Sequence, residues 1–222
     1  LDTLECQAAP IIEGPVLLQV RNQASGKFVR GILPEREREV ADFAHAVRGR
    51  FDVEDGEAII GAHLAVELDI QIGDKLLIHS PANLTANFLW DESGQIQTRD
   101  QAEIYLPEEA EVVGILSMGI YEYDSSLVIL HMDQAADLFG LPWGAATSVH
   151  AKVPDPFRMT PIAEAVRKAF PFKRVITWQE ANKQYFDALR VEKNMMFFLL
   201  TFIVLVAAFG IATTLVTVAV QK

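Results

Sequence analysis

The feature that most constrains this chain is an uninterrupted apolar stretch close to its carboxyl end. Residues 195–220 read MMFFLLTFIVLVAAFGIATTLVTVAV and contain no charged side chain. As a helix, this stretch would be about 39 Å long, against about 30 Å of bilayer hydrocarbon. It is therefore predicted to be a transmembrane helix, and the residues before it are predicted to form a water-soluble part.

Composition excludes several classes of function. The net charge is −11, which argues against a nucleic-acid ligand and against a polybasic contact with anionic lipid. The one cysteine, Cys6, allows no internal disulfide. The first residues have neither a basic start nor an apolar core. A chain with a membrane span and no targeting segment is expected to be a piece of a longer membrane protein.

Near the amino end, the pattern predicts two strands and a helix. Residues 15–20 and 27–33 are strand-like runs separated by a turn-rich link, which indicates a hairpin. Beyond Pro34, the spacing of Val40, Phe43, Ala44 and Val47 predicts one face of a helix that ends at Gly49. The alternating charges of residues 35–39 are interpreted as a solvated first helical turn.

Short strands alternate with short helices through the rest of the soluble part, which predicts an α+β fold. The predicted strands are 58–60, 75–78, 111–116, 126–130, 147–153 and 173–176. Leu64, Ala65 and Leu68 give one helical face, and Asp133 is a candidate cap of a second short helix. Thr160 and Pro161 predict the start of a third.

A polar segment interrupts this pattern at residues 81–107. It has weak periodicity and a turn at residues 91–94. A connection this long in a compact domain is usually functional or disordered. We interpret it as a long hairpin or protruding loop, with Phe88, Leu89 and Trp90 just before the turn. The alternative for Trp90 is that it packs back on its own domain.

The segment before the apolar stretch is predicted to be a stalk. Thr177 and Glu180 fit a capping box, in which side chain and backbone satisfy each other's free groups. From Trp178 to Lys193 there is no Gly or Pro, so a stalk helix at 178–194 is expected to continue unbroken into the span. A continuous helix is stiff and would transmit movement of its membrane end to the soluble part.

No motif indicates catalysis or metal binding. The five histidines are scattered without metal-ligand spacing, and the sequence lacks a nucleophile elbow and both glycine-rich phosphate-binding patterns. We therefore predict a protein that is not an enzyme and carries neither cofactor nor metal. Within the span, Ala207, Gly210 and Thr214 are small residues that favour close packing on other membrane helices. The alternative is a simple anchor.

These residues resemble a known family. Residues 188–222 closely resemble the second membrane helix, with its lead-in, of LolC and LolE, the membrane subunits of the lipoprotein-releasing ABC transporter. The match is concentrated in Val191–Met196 and Val206–Phe209. The segment IIGAHLAVELDIQIGDKLLIHSP, then EVVGIL and VILHMDQAADLFG, resemble further parts of the family in the same order.

The resemblance implies the architecture of the wider MacB/FtsX-like permease class. The soluble part would lie in the periplasm, between the first two helices of an inner-membrane protein. Residues 1–58 and 147–190 would form a porter-like α/β subdomain, and residues 59–146 an inserted β-rich subdomain with the protruding loop 81–107. The stalk and the transmembrane helix would follow.

The resemblance also implies function and partners. The membrane subunit would take a lipoprotein from the inner membrane and pass it to a periplasmic LolA-like chaperone, while a cytoplasmic LolD-like subunit hydrolyses ATP. A second permease subunit would complete a heterodimer or homodimer. The loop's counterpart in LolC-type subunits grips the chaperone, which implies roles for Phe88, Leu89, Trp90 and Arg99. Apolar residues at the beginning of the span would line the lipoprotein cavity: Met195, Met196, Phe198, Leu199 and Phe202.

Two competing hypotheses remain open. One is another MacB/FtsX-type mechanotransmission permease that moves a different substrate or drives a periplasmic hydrolase. The other is a membrane-tethered sensor or adhesion domain. The lipoprotein-releasing permease and the other permease both require further membrane spans and a separate ATPase. A sensor would instead have a cytoplasmic signalling domain. The sequence does not distinguish a LolC-like from a LolE-like role.

Overall fold

Strands from distant parts of the chain pair with one another in the computed structural model, which describes residues 6–21, 23–41, 43–80, 88–90, 96–98 and 107–221. The described strands are β1 (Gln7–Val20), β2 (Gln23–Ile32), β3 (Val47–Gly49), β4 (Glu57–Gly61), β5 (Lys75–His79), β6 (Phe88–Trp90), β7 (Ile96–Thr98), β8 (Glu108–Leu116), β9 (Leu127–His131) and β10 (Ser148–Lys152). The predicted α+β class is confirmed.

Short helices follow the strands, and one long helix follows the last of them. They are α1 (Pro34–Val40), α2 (Ala62–Glu67), α3 (Tyr121–Ser126), α4 (Met132–Leu138), α5 (Thr160–Ala169), α6 (Trp178–Ala181) and α7 (Lys183–Val220). The described chain divides into two compact units, Leu1–Pro156 and Phe157–Lys222, which we call the amino-terminal and carboxy-terminal units.

In the amino-terminal unit, six strands pair in a closed ring. The order is β1, β2, β9, β4, β8 and β5, and β5 pairs again with β1. The pairs β2–β9 and β4–β8 are parallel, and the other four are antiparallel. Closing a sheet on itself removes the free strand edges that would otherwise invite aggregation. Among the described strands, β3 and β10 alone extend this ring, on β8 and β1.

The ring consists of two similar halves, and strands of one half pair with strands of the other. The hairpin β1–β2 is followed by β4 and α2, and the pair β5–β8 is followed by β9 and α4. The helix follows directly upon the strand in both halves. Ile59 of β4 lies opposite Ile129 of β9, at the centre of the contact between the halves. Each half completes the other, because β2 pairs with β9 and β8 with β4.

Two apolar clusters lie on opposite faces of the strands. Successive side chains in a strand point to opposite faces, so Ala58 and Ile60 join the larger cluster while Ile59 joins the smaller one. The larger cluster also buries Leu64 of α2 and Ala135 of α4, which both have no exposed surface. Burial of this kind stabilises a fold by about 25 cal/mol for each Å² of apolar surface removed from water.

The structure corrects the prediction of a helix from Pro34 to Gly49. The helix α1 ends at Val40, because Ala41 is extended after its N–H binds the Glu37 carbonyl. A short 3₁₀ turn follows at Ala44–Ala46, and β3 then pairs with β8. Pairing of β3 with β8, a strand distant in sequence, therefore overrides the helical spacing of the apolar residues. Glu37, predicted to be solvated, is fully buried.

Two further local predictions are wrong. The cap of α4 is His131, whose Nδ1 accepts a hydrogen bond from the Asp133 N–H, so Asp133 lies within the first turn. Residues 173–176 form no strand, because none of the described strands pairs with them. The other predicted strands are found, and 15–20 lies within a β1 that begins at Gln7.

The predicted subdomain boundaries do not coincide with the compact units. The boundary at residues 58 and 59 lies inside β4, so residues of both predicted subdomains share one strand of the ring. The compact units instead divide after Pro156. The assignment of residues 1–58 with 147–190 to one subdomain, and of 59–146 to a second, remains a prediction.

Candidate functional site along the apolar helix

The helix α7 is long and apolar enough to cross a membrane. It contains 38 residues, and its most apolar window has a mean hydropathy of 2.7, with none of that window buried. At about 1.5 Å per residue, the helix is about 57 Å long, so it extends well beyond about 30 Å of hydrocarbon. The additional length lies at its amino end, where Lys183, Asp187, Arg190, Glu192 and Lys193 are charged.

The start of the stalk differs from the prediction. The capping box at Thr177 and Glu180 is confirmed, with a 3.2 Å bond from the Glu180 N–H to Thr177 Oγ1. However, the helix is not continuous from Trp178, because Asn182 separates α6 from α7. The Asn182 side chain donates to the Trp178 carbonyl at 2.8 Å, which is the competition with the helical backbone typical of asparagine. From Lys183, α7 continues into the apolar stretch without a break.

An ion pair connects α5 to the beginning of the stalk. One terminal nitrogen of Arg167 lies 2.9 Å from both carboxylate oxygens of Glu180 and 3.0 Å from the Val175 carbonyl oxygen. The Thr177 N–H also donates to the Glu180 carboxylate, at 2.9 Å. This backbone bond is the main cause of the lowered pKa of Glu180, and Arg167 lowers that pKa further. Arg167 therefore joins α5 both to the chain at Val175 and, through Glu180, to the beginning of the stalk.

Aromatic side chains support the same junction. The Trp178 ring lies edge-on to Phe186 of α7, with centroids 5.3 Å apart, and edge-on to Phe157 at 6.1 Å. Edge-to-face aromatic pairs stabilise by about 0.5–1.5 kcal/mol beyond the area they bury. The short helix α6 is therefore held against α7 despite the interruption at Asn182. An adjoining cleft of about 220 Å³, lined by Met159, Arg167 and Lys183, is smaller than typical ligand pockets.

The residues predicted to contact lipoprotein lie on α7. Met195, Phe198, Leu199 and Phe202 are spaced at i, i+3, i+4 and i+7, so they form one face of the helix. Met196 lies beside them. All five are well exposed, from 58% for Met196 and Phe198 to 66% for Phe202. They thus form a continuous apolar surface at the beginning of the span.

The small residues predicted to pack on other helices form a separate face. Ala207, Gly210 and Thr214 are turned by roughly 100° around the axis from the Met195 face, at 100° for each residue. The Thr214 hydroxyl donates to the Gly210 carbonyl at 2.9 Å, so its polar atom is satisfied within the helix and does not oppose burial in lipid. One face can therefore contact a second helix while the other remains accessible.

The predicted hairpin has its two strands at the expected place. In antiparallel β6 and β7, Phe88 lies opposite Thr98, Leu89 opposite Gln97, and Trp90 opposite Ile96. These strands pair with each other and with no other described strand. Arg99 and most of loop 81–107 lie outside the described residues. The roles of Phe88, Leu89, Trp90 and Arg99 remain predictions.

A buried cluster of charged groups in the amino-terminal unit was not predicted. Arg30 of β2 binds Glu13 of β1 at 2.6 Å, and its guanidinium lies 5.6 Å from the centre of the Phe43 ring. Glu37 is fully buried, and neither of its carboxylate oxygens has a hydrogen-bond partner. Burial raises the pKa of Glu37, an effect that Arg30 opposes. Burial also lowers the pKa of His150. Sequence pattern alone offers no signal for such a cluster.

The described residues contain no group of three or more His, Cys, Asp or Glu side chains that could hold a metal ion. In the described part of the carboxy-terminal unit, Arg167 and Glu180 form an ion pair, and other charged residues lie exposed along α5 and α7. The surface most suited to a ligand is thus the apolar Met195 face. It suits alkyl chains or apolar helices rather than polar metabolites.

Comparison with known proteins finds LolC proteins among the relatives of this chain. No family model matches the chain. It is 33% identical to the lipoprotein-releasing system transmembrane protein LolC of Neisseria meningitidis, over 97% of the chain and 50% of that protein. It is 27% identical to the LolC of Xylella fastidiosa strain Temecula1, over 97% of the chain and 49% of that protein. The chain thus spans about half the length of these LolC proteins.

Two solved structures match parts of this chain. The periplasmic region of MacB from Actinobacillus actinomycetemcomitans matches with a TM-score of 0.47 and 9% identity, over 81% of this chain and 75% of that one. The extracellular domain of the ABC-type transporter YknZ, from Gram-positive bacteria, matches with a TM-score of 0.45 and 11% identity. That match covers 76% of this chain and 78% of that one.

Proposed function

We propose, on the premise that this chain is a homologue of the LolC proteins, that it is part of a permease subunit of an ABC transporter that releases lipoproteins from the inner membrane. The observation that carries the proposal is the match to LolC along nearly the whole chain, including both the soluble part and α7. The soluble part would lie in the periplasm. No residue of the chain would catalyse a reaction.

In this proposal α7 connects the membrane to the soluble part. Its unbroken course from Lys183 to Val220 makes it a stiff rod about 57 Å long. Displacement at its membrane end would reach Glu180 through α6, which Trp178 and Phe186 hold against α7. The ion pair with Arg167 would pass the displacement to α5. ATP hydrolysis in a cytoplasmic LolD-like subunit would supply the energy.

The Met195 face would contact the lipoprotein. Methionine and phenylalanine side chains adapt to alkyl chains of variable shape, and a stripe of them at the beginning of the span suits acyl chains leaving a leaflet. The Gly210 face would pack on other helices of the transporter, including those of a second permease subunit in a heterodimer or homodimer. The two faces would thus separate substrate contact from assembly.

The hairpin β6–β7 would contact a periplasmic LolA-like chaperone that receives the lipoprotein. A hairpin that pairs with no other described strand can present its side chains to a partner. Aromatic residues are enriched where binding energy is concentrated in protein interfaces, which favours Phe88 and Trp90 over their polar neighbours. Arg99 would add a basic contact.

Site-specific photo-crosslinking in the full-length protein tests both contacts. A photoreactive amino acid at Phe88 or Trp90 should capture the chaperone, and one at Met195 or Leu199 should capture lipoprotein. Trp143, which is 92% exposed in the same unit as the hairpin, is the control for the chaperone arm. Val216, 63% exposed near the far end of α7, is the control for the lipoprotein arm. Capture at the test positions alone would support the proposal.

Equal capture at test and control positions, or none at either test position, would contradict the proposal. A MacB/FtsX-type permease with another substrate, or with a periplasmic hydrolase as its partner, would then be the better hypothesis. Capture of lipoprotein without the chaperone would contradict the hairpin's role alone. Crosslinking yield should also depend on ATP hydrolysis by the partner subunit, which separates transport from passive contact.

A further inference from the structure

Charge is unevenly divided between the two compact units. Residues 157–222 contain nine Lys or Arg and four Asp or Glu, a net charge of +5. Residues 1–156 contain ten basic and 26 acidic residues, a net charge of −16. The net charge of the whole chain, −11, conceals this division. The unit that contains the apolar helix is therefore the basic one.

Exposed basic and aromatic side chains are concentrated at the end of α5. We call residues 168–174, which read KAFPFKR, the basic–aromatic segment. Phe172 is 97% exposed and Phe170 is 52% exposed. Within the described chain, Lys168, Lys173 and Arg174 belong to none of the ion pairs, whereas Arg167 is paired with Glu180. Three unpaired cations thus flank two exposed rings.

The same pattern continues along the polar part of α7. Lys183, Arg190 and Lys193 are exposed and also lie outside the ion pairs of the described chain. Lys193 is two residues before the apolar stretch begins at Met195. A juxtamembrane basic residue is attracted to an anionic bilayer surface within a screening length. Several such residues act together on one surface.

Distances along α7 place the carboxy-terminal unit close to the lipid headgroups. Phe186 precedes Met195 by nine residues, or about 13 Å of helix. The headgroup layer occupies roughly 5–7 Å of that distance. The remainder is comparable with the Debye length of about 8 Å at physiological ionic strength. Trp178 packs on Phe186, and Phe172 lies six residues before Trp178, within about 20 Å even of an extended chain.

We propose that the basic–aromatic segment is a second membrane contact, which docks on the anionic lipid headgroups around α7. Phe170 and Phe172 would insert their rings at the level of the headgroups, where aromatic residues are favoured. Lys168, Lys173 and Arg174 would contact lipid phosphates. The contact would limit the tilt of α7 and fix the height of α5 above the bilayer.

A lipid surface fits this segment better than an acidic protein surface does. A contact between charged protein surfaces does not require two phenylalanine rings exposed among the cations. Interfacial membrane segments combine cations with aromatic residues in this way. The membrane is also brought close by α7 of the same unit. The inference requires α7 to be inserted, but it depends neither on the side of the membrane nor on lipoprotein transport.

A spin label at Ala169 tests the proposal, since this exposed position lies within the segment but is neither basic nor aromatic. Cys6 is replaced by alanine, and Ala169→Cys is labelled in the full-length protein, in nanodiscs of anionic or of zwitterionic phospholipid. In anionic nanodiscs at low salt, oxygen dissolved in the lipid should relax the label several-fold more than an aqueous nickel complex does. The preference should be lost in zwitterionic lipid and at high salt.

Matched variants separate lipid contact from misfolding. Neutralising Lys168, Lys173 and Arg174 to glutamine should abolish the preference, and Phe172→Ser should weaken it. Neutralising Arg36, Arg48 and Lys152 removes three exposed basic residues from the amino-terminal unit. This change should leave the label's preference for lipid oxygen unchanged. A label at Val66, 83% exposed, should remain aqueous in every lipid.

Two outcomes would overturn the proposal. A label at Ala169 that is equally aqueous in both lipids would show that the segment does not reach the membrane. A label shielded from the nickel complex without access to lipid oxygen would show that protein covers the segment, for which the acidic unit of this chain or of a second subunit is the candidate. Neither outcome depends on lipoprotein or chaperone capture, so failure here is distinguishable from failure of the proposed function.

Discussion

Arg167 and Glu180 join the last turn of α5 to the first turn of the stalk, with both carboxylate oxygens of Glu180 2.9 Å from one guanidinium nitrogen of Arg167. The same carboxylate accepts a bond from the Thr177 N–H within the capping box. One side chain therefore serves both as a helix cap and as the link between two helices. Substitutions at this pair can separate the two roles.

Replacing Arg167 with glutamine should raise the pKa of Glu180 towards its ordinary value. The pKa should remain somewhat lowered, because the Thr177 backbone bond is its main cause. A depressed folded-state pKa contributes stability above the unfolded-state pKa, and that stability is lost as pH falls through the folded value. The variant should lose less stability on acidification. Carbon-13 NMR titration of the glutamate carboxyl measures the shift. The control is Lys168→Gln, which should leave the Glu180 titration unchanged.

Replacing Glu37 with glutamine should stabilise the protein at neutral pH. Burial raises the folded-state pKa of Glu37, so its stabilising contribution is complete below the unfolded-state pKa and is lost as pH rises through the folded value. Glutamine carries no charge and avoids this loss. The difference in unfolding free energy between variant and wild type should increase with pH through that window. Denaturant titration of the detergent-solubilised chain at several pH values measures it.

The control for Glu37 is Glu35→Gln, on the exposed side of the same helix. It should not change how stability depends on pH. Arg30 and Glu13 also contribute to the electrostatic environment of Glu37. Both glutamine variants keep these groups, so comparing the variants removes the contribution of these groups to the pH dependence of stability. Parallel pH profiles for wild type and Glu37→Gln would show that Glu37 is not buried as described.

Replacing Gly61 with alanine should destabilise the amino-terminal unit by roughly 1–3 kcal/mol, the usual cost of overpacking. A Cβ at this position would lie 2.3 Å from the carbonyl oxygen of Asp124, and backbone cannot rotate away as a side chain can. Gly26→Ala is the matched control, since nothing lies within 4 Å of a Cβ there. Thermal unfolding followed by circular dichroism compares the two. Equal melting temperatures would refute the close approach of β4 to α3.

Replacing Asp124 with alanine should cost roughly 1–3 kcal/mol of stability, as expected when bonds to a charged acceptor are lost. Its two carboxylate oxygens accept bonds from the Met118 N–H at 2.8 Å and the Gly119 N–H at 3.0 Å. The side chain is 3% exposed, so water does not readily replace it. Hydrogen exchange of these two amides should accelerate. The exposed neighbour Glu122→Gln should leave both exchange rates unchanged.

Local signals predicted a large part of the fold. The strands at 58–60, 75–78, 111–116 and 126–130 were found, because alternation and turn residues encode them within a few positions. The capping box at Thr177 was found for the same reason. The helix expected to extend to Gly49 was not, because β8 supplies a pairing partner for β3 that is distant in sequence.

For the candidate site, composition sufficed to locate the apolar helix but not its junction with the soluble part. The interruption at Asn182 depends on one side-chain bond to the Trp178 carbonyl, which no periodicity reports. The Arg167–Glu180 pair spans 13 residues and requires α5 to lie beside α6. Whole-chain net charge does not show how charge is divided, because it averages a basic unit with an acidic one.

The sequence by itself determined that this chain contains a helix long and apolar enough to cross a membrane, because 26 consecutive residues carry no charge. It also accounts for the similarity to LolC proteins, which extends over 97% of the chain. Only the tertiary structure decided that two halves close one ring through Ile59 and Ile129, and that Glu37 is buried. Ring closure and burial depend on contacts between residues far apart in sequence, whose energies no local pattern contains.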